Sequence, residues 1–96
     1  MTDYCTQNVD EDAFNDMMLA CGLCVEVDDG EGYITVEPAS YQILIDRIGP
    51  ITLANGTVYP EYYTNVRLLL APTDEQAAAL TACSIDPSQP QYRTWA

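Results

Sequence analysis

Apolar positions recur along this chain with two different spacings, and the change of spacing divides it into helices and strands. Phe14, Met17, Met18 and Cys21 fall at i, i+3, i+4 and i+7, which is one face of a helix. Asp10 stands where a carboxylate caps that helix, Glu11, Asp12 and Asp16 lie toward its positive N-terminal end, and Gly22 is placed to stop it. Beyond it, CVEV, DDGEG and YITVEP read as strand, turn and strand: Val25 and Val27 alternate with Glu26, and Ile34 and Val36 alternate with Thr35 and Glu37. After Pro38 the run YQILIDRI is apolar on both faces and rich in β-branched residues, which predicts a central strand in preference to a helix.

The next segment holds the sharpest local signal. Asn55-Gly56 between ITLA and TVYP is the dipeptide that tolerates the positive φ angles of a type I′ turn, so a second hairpin is predicted. In NVRLLL, Val66, Leu68 and Leu70 can face a core while Arg67 and Leu69 point away, making this the best candidate for a well-buried strand. Pro72 ends it, and Thr73 with Gln76 three residues on forms a capping box for a short helix from Asp74 to about Thr81 that buries Ala77 and Leu80. SIDPSQPQYRTWA has two prolines and no periodicity and reads as an extended tail.

These elements predict an α+β fold: a small antiparallel β-meander of four to five strands with an N-terminal helix, a short C-terminal helix and an extended C-terminal tail. One domain is expected over residues 1–96, with an arm over 1–8, an α+β core over 9–85 and the tail over 86–96. Residues 50–63 have two readings, as core strands or as a protruding β-arm, because Tyr59, Tyr62 and Tyr63 cluster there beside Pro60 and Glu61.

Charge narrows the range of partners. Fifteen Asp and Glu face three Arg, with no Lys and no His, so the formal net charge is −12. Such a surface repels nucleic acid and acidic membranes and attracts basic protein patches. Direct nucleic-acid binding is not expected from three scattered Arg, and no run approaches the ~18 apolar residues of a membrane span. MTDYCTQNVDEDAF lacks the basic and apolar regions of a secretory signal, so cytoplasmic synthesis is expected.

Candidate chemistry is sparse. Cys21-Gly22-Leu23-Cys24 has CxxC spacing, and Cys5 and Cys83 are the thiols that would complete a four-thiolate zinc site. Cys5 and Cys83 do not form a second CxxC, and Cys21 fits the apolar stripe of the first helix, so free thiols are expected and no metal. A redox CxxC gains from a helix N-terminus, whereas this pair follows a helix C-terminus in an acidic chain. Asp28, Asp29 and Glu31 around Gly30 and Gly32 lack the spacing of a calcium loop and read as a solvated turn. Without His, Lys or a nucleophile motif, no catalytic residue, no cofactor and no enzymatic activity are expected.

Binding residues are the alternative. Tyr59, Tyr62 and Tyr63 are contact residues if they lie on an arm, and edge cover for the core if they do not. Tyr92, Arg93 and Trp95 combine the three residue types enriched at binding hot spots, in a segment that could equally close the protein's own core.

The pattern YQILIDRIGPI, then an Asn-Gly hairpin, then YYTNVRLLLAPTDEQAAAL and YRTWA resembles small uncharacterised proteins encoded among the morphogenesis genes of tailed bacteriophages. The likeness covers roughly residues 41 to 96 and lies in Ile48-Gly49-Pro50, Asn65-Val66-Arg67, Glu75 to Leu80 and Arg93 to Ala96. It implies a structural or assembly component of the virion, tail-associated in preference to a capsid decoration protein. Such a component is made in the host cytoplasm and joined to other phage structural proteins in a larger oligomeric assembly. An acidic inhibitor that imitates nucleic acid and blocks a host defence protein is the reading of a different class.

Overall fold

The computed structural model describes residues 1–85, so the expected tail, with Tyr92, Arg93 and Trp95, lies outside the described residues. The order is β1 (Thr2–Asn8), α1 (Glu11–Ala20), β2 (Cys24–Asp28), β3 (Ile34–Pro38), β4 (Ile43–Thr52), β5 (Val58–Leu68) and α2 (Asp74–Ala82). The α+β class, the antiparallel pairing and both helices match the sequence expectation. The strands form two sheets, a three-stranded one in the order β1-β5-β4 and the β2-β3 hairpin.

Two strand assignments change. The N-terminal arm expected over residues 1–8 is β1, which pairs antiparallel with β5 from Thr2↔Leu68 to Asn8↔Tyr62. YQILIDRI does form a strand, but β4 lies at the side of its sheet and β5 is central. The difference follows from β1, whose polar sequence TDYCTQN hides its pairing with NVRLLL. β5 then has neighbours on both sides and becomes the buried strand predicted there, with Val66 and Leu68 fully buried.

The side of this sheet that carries Tyr4, Thr6, Thr64, Val66, Leu68 and Ile45 packs against the helices, where Phe14, Met18 and Leu80 are fully buried with Leu23 in one core. α1 has the predicted cap, Asp10 Oδ1 accepting the Ala13 N–H at 2.8 Å. The Cys21 N–H donates back to the Met17 carbonyl, and Gly22 leaves the helix at φ +81°, a left-handed value that glycine adopts without strain. The capping box of α2 is complete: Thr73 Oγ1 accepts from the Gln76 N–H at 3.1 Å and Gln76 Oε1 accepts from the Thr73 N–H at 3.0 Å. Gln76 Nε2 also donates to the Cys21 carbonyl at 3.1 Å, joining the end of α1 to the start of α2.

The β4-β5 hairpin forms around Asn55-Gly56 with a different turn from the one expected. Only Gly56 has a positive φ, +88°, so Asn55 is not in the left-handed region that a type I′ turn requires of both central residues. The Gly56 N–H donates to the Leu53 carbonyl at 2.9 Å and the Leu53 N–H to the Thr57 carbonyl at 2.8 Å, giving a three-residue loop that ends in a left-handed glycine. Lower in the hairpin the register shifts at Arg47/Gly49 and Gly49/Ile51, and Gly49 turns the strand at φ +75° within the Ile48-Gly49-Pro50 corner.

One cation ties the layers together. Arg47 on β4 donates through Nη1 to Asn15 Oδ1 on α1 at 2.9 Å and to Tyr62 Oη on β5 at 3.3 Å. Its Nη2 donates to the Val36 carbonyl on β3 at 3.5 Å, and its guanidinium lies 5.2 Å from the centre of the Phe14 ring. Tyr62 Oη passes the contact on, donating to Glu11 Oε2 at 3.0 Å. On the far side of the sheet, Arg67 pairs with Asp3 through two bonds of 2.8 and 2.9 Å, across the register pair Asp3↔Arg67.

Arg47→Ala is expected to lower the unfolding free energy by about 2 kcal/mol, from lost charge-assisted hydrogen bonds and a partly desolvated cation–π contact, as measured by urea denaturation. The Arg67 guanidinium holds the Asp3 carboxyl below its usual value of 3.8, so the contribution of this pair is present above that pH and is lost as pH falls through the lowered value. Asp3→Asn should remove that part of the acid dependence, with little loss of stability at pH 7 because the pair is exposed.

Candidate functional site

The tyrosines predicted as contact residues are mostly inside. Tyr63 is 1% and Tyr62 9% exposed. Tyr62 packs its ring against Phe14 at 5.9 Å between centroids, and Tyr63 Oη donates to Glu61 Oε2 at 3.3 Å. Burial holds the Tyr62 hydroxyl above its ordinary pKa, so it remains protonated as the donor to Glu11. Tyr59 is half-buried near the end of the β4-β5 hairpin, where Val58 beside it is exposed. Of the two readings of this cluster, cover for the core describes Tyr62, which shares the face of Thr64, Val66 and Leu68 and belongs to the core cluster, whereas Tyr63 is buried on the opposite face of the sheet, the one that carries Asn65 and Arg67.

The thiols are dispersed among different surroundings. Cys5 Sγ donates to Asn65 Oδ1 at 3.5 Å, Cys21 and Cys24 are buried, and Cys83 Sγ lies 3.7 Å from Met17 Sδ and 3.6 Å from the Ala79 carbonyl. Burial pushes the Cys24 thiol up to about 11 and raises Cys83 as well, the opposite of what a thiolate ligand or nucleophile needs. Among the described residues no group of three or more His, Cys, Asp or Glu is placed to hold a metal ion. No helix among them is long and apolar enough to cross a membrane.

What the fold does present is an apolar hairpin set in carboxylates. β2 and β3 pair from Cys24↔Pro38 to Asp28↔Ile34. Cys24 anchors one end in the core, and beyond it Val25, Val27, Tyr33 and Ile34 are all exposed, Tyr33 by 70% and Ile34 by 62%. Glu26, Asp28, Asp29, Glu31 and Glu37 stand among them, every one exposed. The connecting loop is held by its own acids: Asp28 Oδ1 accepts the Gly30 N–H at 2.8 Å, and Asp29 Oδ1 accepts the N–H of Glu31 at 2.8 Å and of Tyr33 at 3.2 Å. Asp28, Asp29 and Glu31 thus form a solvated turn, as their spacing predicted.

The sequence does not single out this surface, although it places Val25, Val27 and Ile34 in their strands; Asp28 joins β2 instead of the turn, and Tyr33 precedes β3. Val25 and Val27 pair with Glu37 and Thr35, whereas Ile34 and Val36 pair with Asp28 and Glu26. The apolar residues of the two strands therefore point to opposite faces of the hairpin, and only the face with Cys24 and Val36 meets the core. The missed signal is the odd number of residues between Asp29 and Tyr33, a pair closed by the Asp29 N–H to the Tyr33 carbonyl at 3.1 Å.

In the folded protein at pH 8, Cys24 should resist alkylation by iodoacetamide and react at a free-thiol rate only after denaturation, as measured by mass spectrometry of timed samples. In comparisons with known proteins, no family model, no curated protein and no solved structure matches this chain.

Proposed function

We propose that the protein is a small non-enzymatic binding subunit that docks on basic protein surfaces, acting as a structural or assembly component of a tailed-bacteriophage virion, with the tail as its expected place. The observation that carries the binding mode is the exposed apolar hairpin among unbalanced carboxylates. Arg47 and Arg67, the arginines within the described residues, both make ion pairs with the protein's own acids, at 3.9 Å to Glu11 and 2.8 Å to Asp3. All acids but Asp86 lie in the same residues, so carboxylates there greatly outnumber cations. Apolar area supplies affinity at such a surface, while the charge steers approach and selects against acidic partners. The virion setting rests on the resemblance of residues 41–96 to proteins of tailed-phage morphogenesis clusters. The non-enzymatic reading is supported by a sequence without His or Lys and by the raised thiol pKa values.

Uncompensated carboxylates also suit an inhibitor that imitates nucleic-acid charge, and salt separates the two. A subunit seated by apolar area should keep most of its affinity between 50 and 500 mM salt, whereas a charge mimic should lose about a hundredfold or more. Quantitative mass spectrometry of purified particles tests the setting. A fixed copy number in multiples of three or six is the expected result, and absence from clean particles with abundance in infected cells would sink it.

A further inference from the structure

Neither outer edge of the two-stranded β2-β3 sheet is paired with a described strand, but only one of them is free of other bonds among the described residues. The bonds from the Ala39 N–H to the Leu23 carbonyl at 2.9 Å and from the Asp29 N–H to the Tyr33 carbonyl at 3.1 Å identify the hydrogen-bonded pairs at its two ends. Hydrogen-bonded and non-bonded pairs alternate along an antiparallel ladder. With Val25↔Glu37, Glu26↔Val36, Val27↔Thr35 and Asp28↔Ile34 in register, Val25 and Val27 direct their backbone groups to β3, and Glu26 and Asp28 direct theirs outward. The outer side of β3 faces β4, since the Val36 carbonyl accepts from Arg47 Nη2 at 3.5 Å. The open edge is therefore that of β2.

Chemistry alternates along this edge in step with the pleat. Val25 and Val27, 46% and 43% exposed, lie on one face, and Glu26 and Asp28 lie exposed on the other. A strand added there meets valine on its first face and carboxylate on its second, so the complementary sequence alternates apolar and cationic residues. A second copy of this chain does not fit. Pairing β2 with itself would set carboxylates against carboxylates within a protein of net charge −12, and like charges facing each other across a ladder are destabilising. The loop from Asp28 to Tyr33 is fixed by its own carboxylate bonds, so the edge is already extended before a partner arrives and little ordering remains to oppose binding.

We infer that the outer edge of β2 is a strand-addition site for an extended partner segment of alternating apolar and basic residues, main-chain bonded to Glu26 and Asp28. Main-chain bonds give such a site its affinity and the alternating side chains its specificity. The inference rests on the binding function proposed above and locates it in a single edge.

The test titrates the full-length protein with a synthetic peptide of alternating lysine and valine, and with a glutamate–valine peptide as the charge control. Amide hydrogen exchange is read residue by residue. The lysine peptide should bind and slow exchange at Glu26 and Asp28 by at least about tenfold, while the glutamate peptide should not bind. Glu26→Pro removes an outward N–H without removing a bond to β3. It should weaken the lysine peptide by at least about tenfold while leaving the circular dichroism spectrum and Tm near wild type. Should the proline disturb the strand, the substitution Glu26→Lys, which keeps the Asp28 bond to the loop, provides the same decision by weakening the lysine peptide at least about tenfold. Protection confined to other residues, or wild-type affinity in the folded proline variant or in Glu26→Lys, would overturn the edge site and leave the general binding function standing. Failure of the wild-type protein to bind either peptide, together with its absence from particles, would remove both.

Discussion

Arg47 is the contact on which the arrangement of layers depends. A domain this small has room for one core, and two of its layers, α1 and the β2-β3 hairpin, approach β4 and β5 with acids and carbonyl oxygens as well as apolar side chains. A single guanidinium reaches all of them, because its planar fork offers donors in several directions at once. It bonds Asn15 on α1, Tyr62 on β5 and the Val36 carbonyl on β3, and its central carbon lies over the Phe14 ring. An ammonium group could supply the charge at this place but not the wide fork of donors.

The same cation explains why the acidic N-terminal turn of α1 is tolerated against the sheet. Glu11 lies 3.9 Å from Arg47 and accepts from Tyr62, so this carboxylate has both a charge partner and a donor. The helix dipole favours Glu11 and Asp12 in that first turn independently of tertiary contacts. Local electrostatics and packing agree there. Elsewhere most acids lie on turns and exposed strand positions, and the half-buried Asp46 and Glu61 accept from Asn65 Nδ2 and Tyr63 Oη, which leaves the surface negative without placing unpaired charge in the core.

Edges set the functional logic of the fold. β1 is flanked by β5 and, on its other side, by the segment after α2, where the Gln7 N–H donates to the Cys83 carbonyl and the Ile85 N–H to the Cys5 carbonyl. β3 lies against β4 through Arg47. Among the described residues the outer edge of β2 has no such bond, and its outward carboxylates act as the charged guards that keep an exposed edge from pairing with its own kind. A guard of one sign is selective, since it repels an acidic copy and admits a basic strand.

Much of the architecture is legible in the residues themselves. The caps at Asp10 and Thr73, the helix face of Phe14, Met17, Met18 and Cys21, the glycine stops and both hairpins follow from side-chain chemistry within a few residues, where no distant partner can intervene. What only the tertiary structure decided depends on pairs far apart in the chain. The polar segment TDYCTQN became a strand because β5 supplied a ladder for it, and Tyr62 went inside because its face of β5 packs on Phe14 of α1. The exposure of the hairpin's valines depended on a count of residues. A three-residue connection between Asp29 and Tyr33 pairs odd positions with odd, which sends the valines of β2 and the apolar residues of β3 to opposite faces. A two-residue turn would have placed both apolar rows on one face, and strand periodicity alone cannot tell these registers apart, because each strand has the same alternation in both.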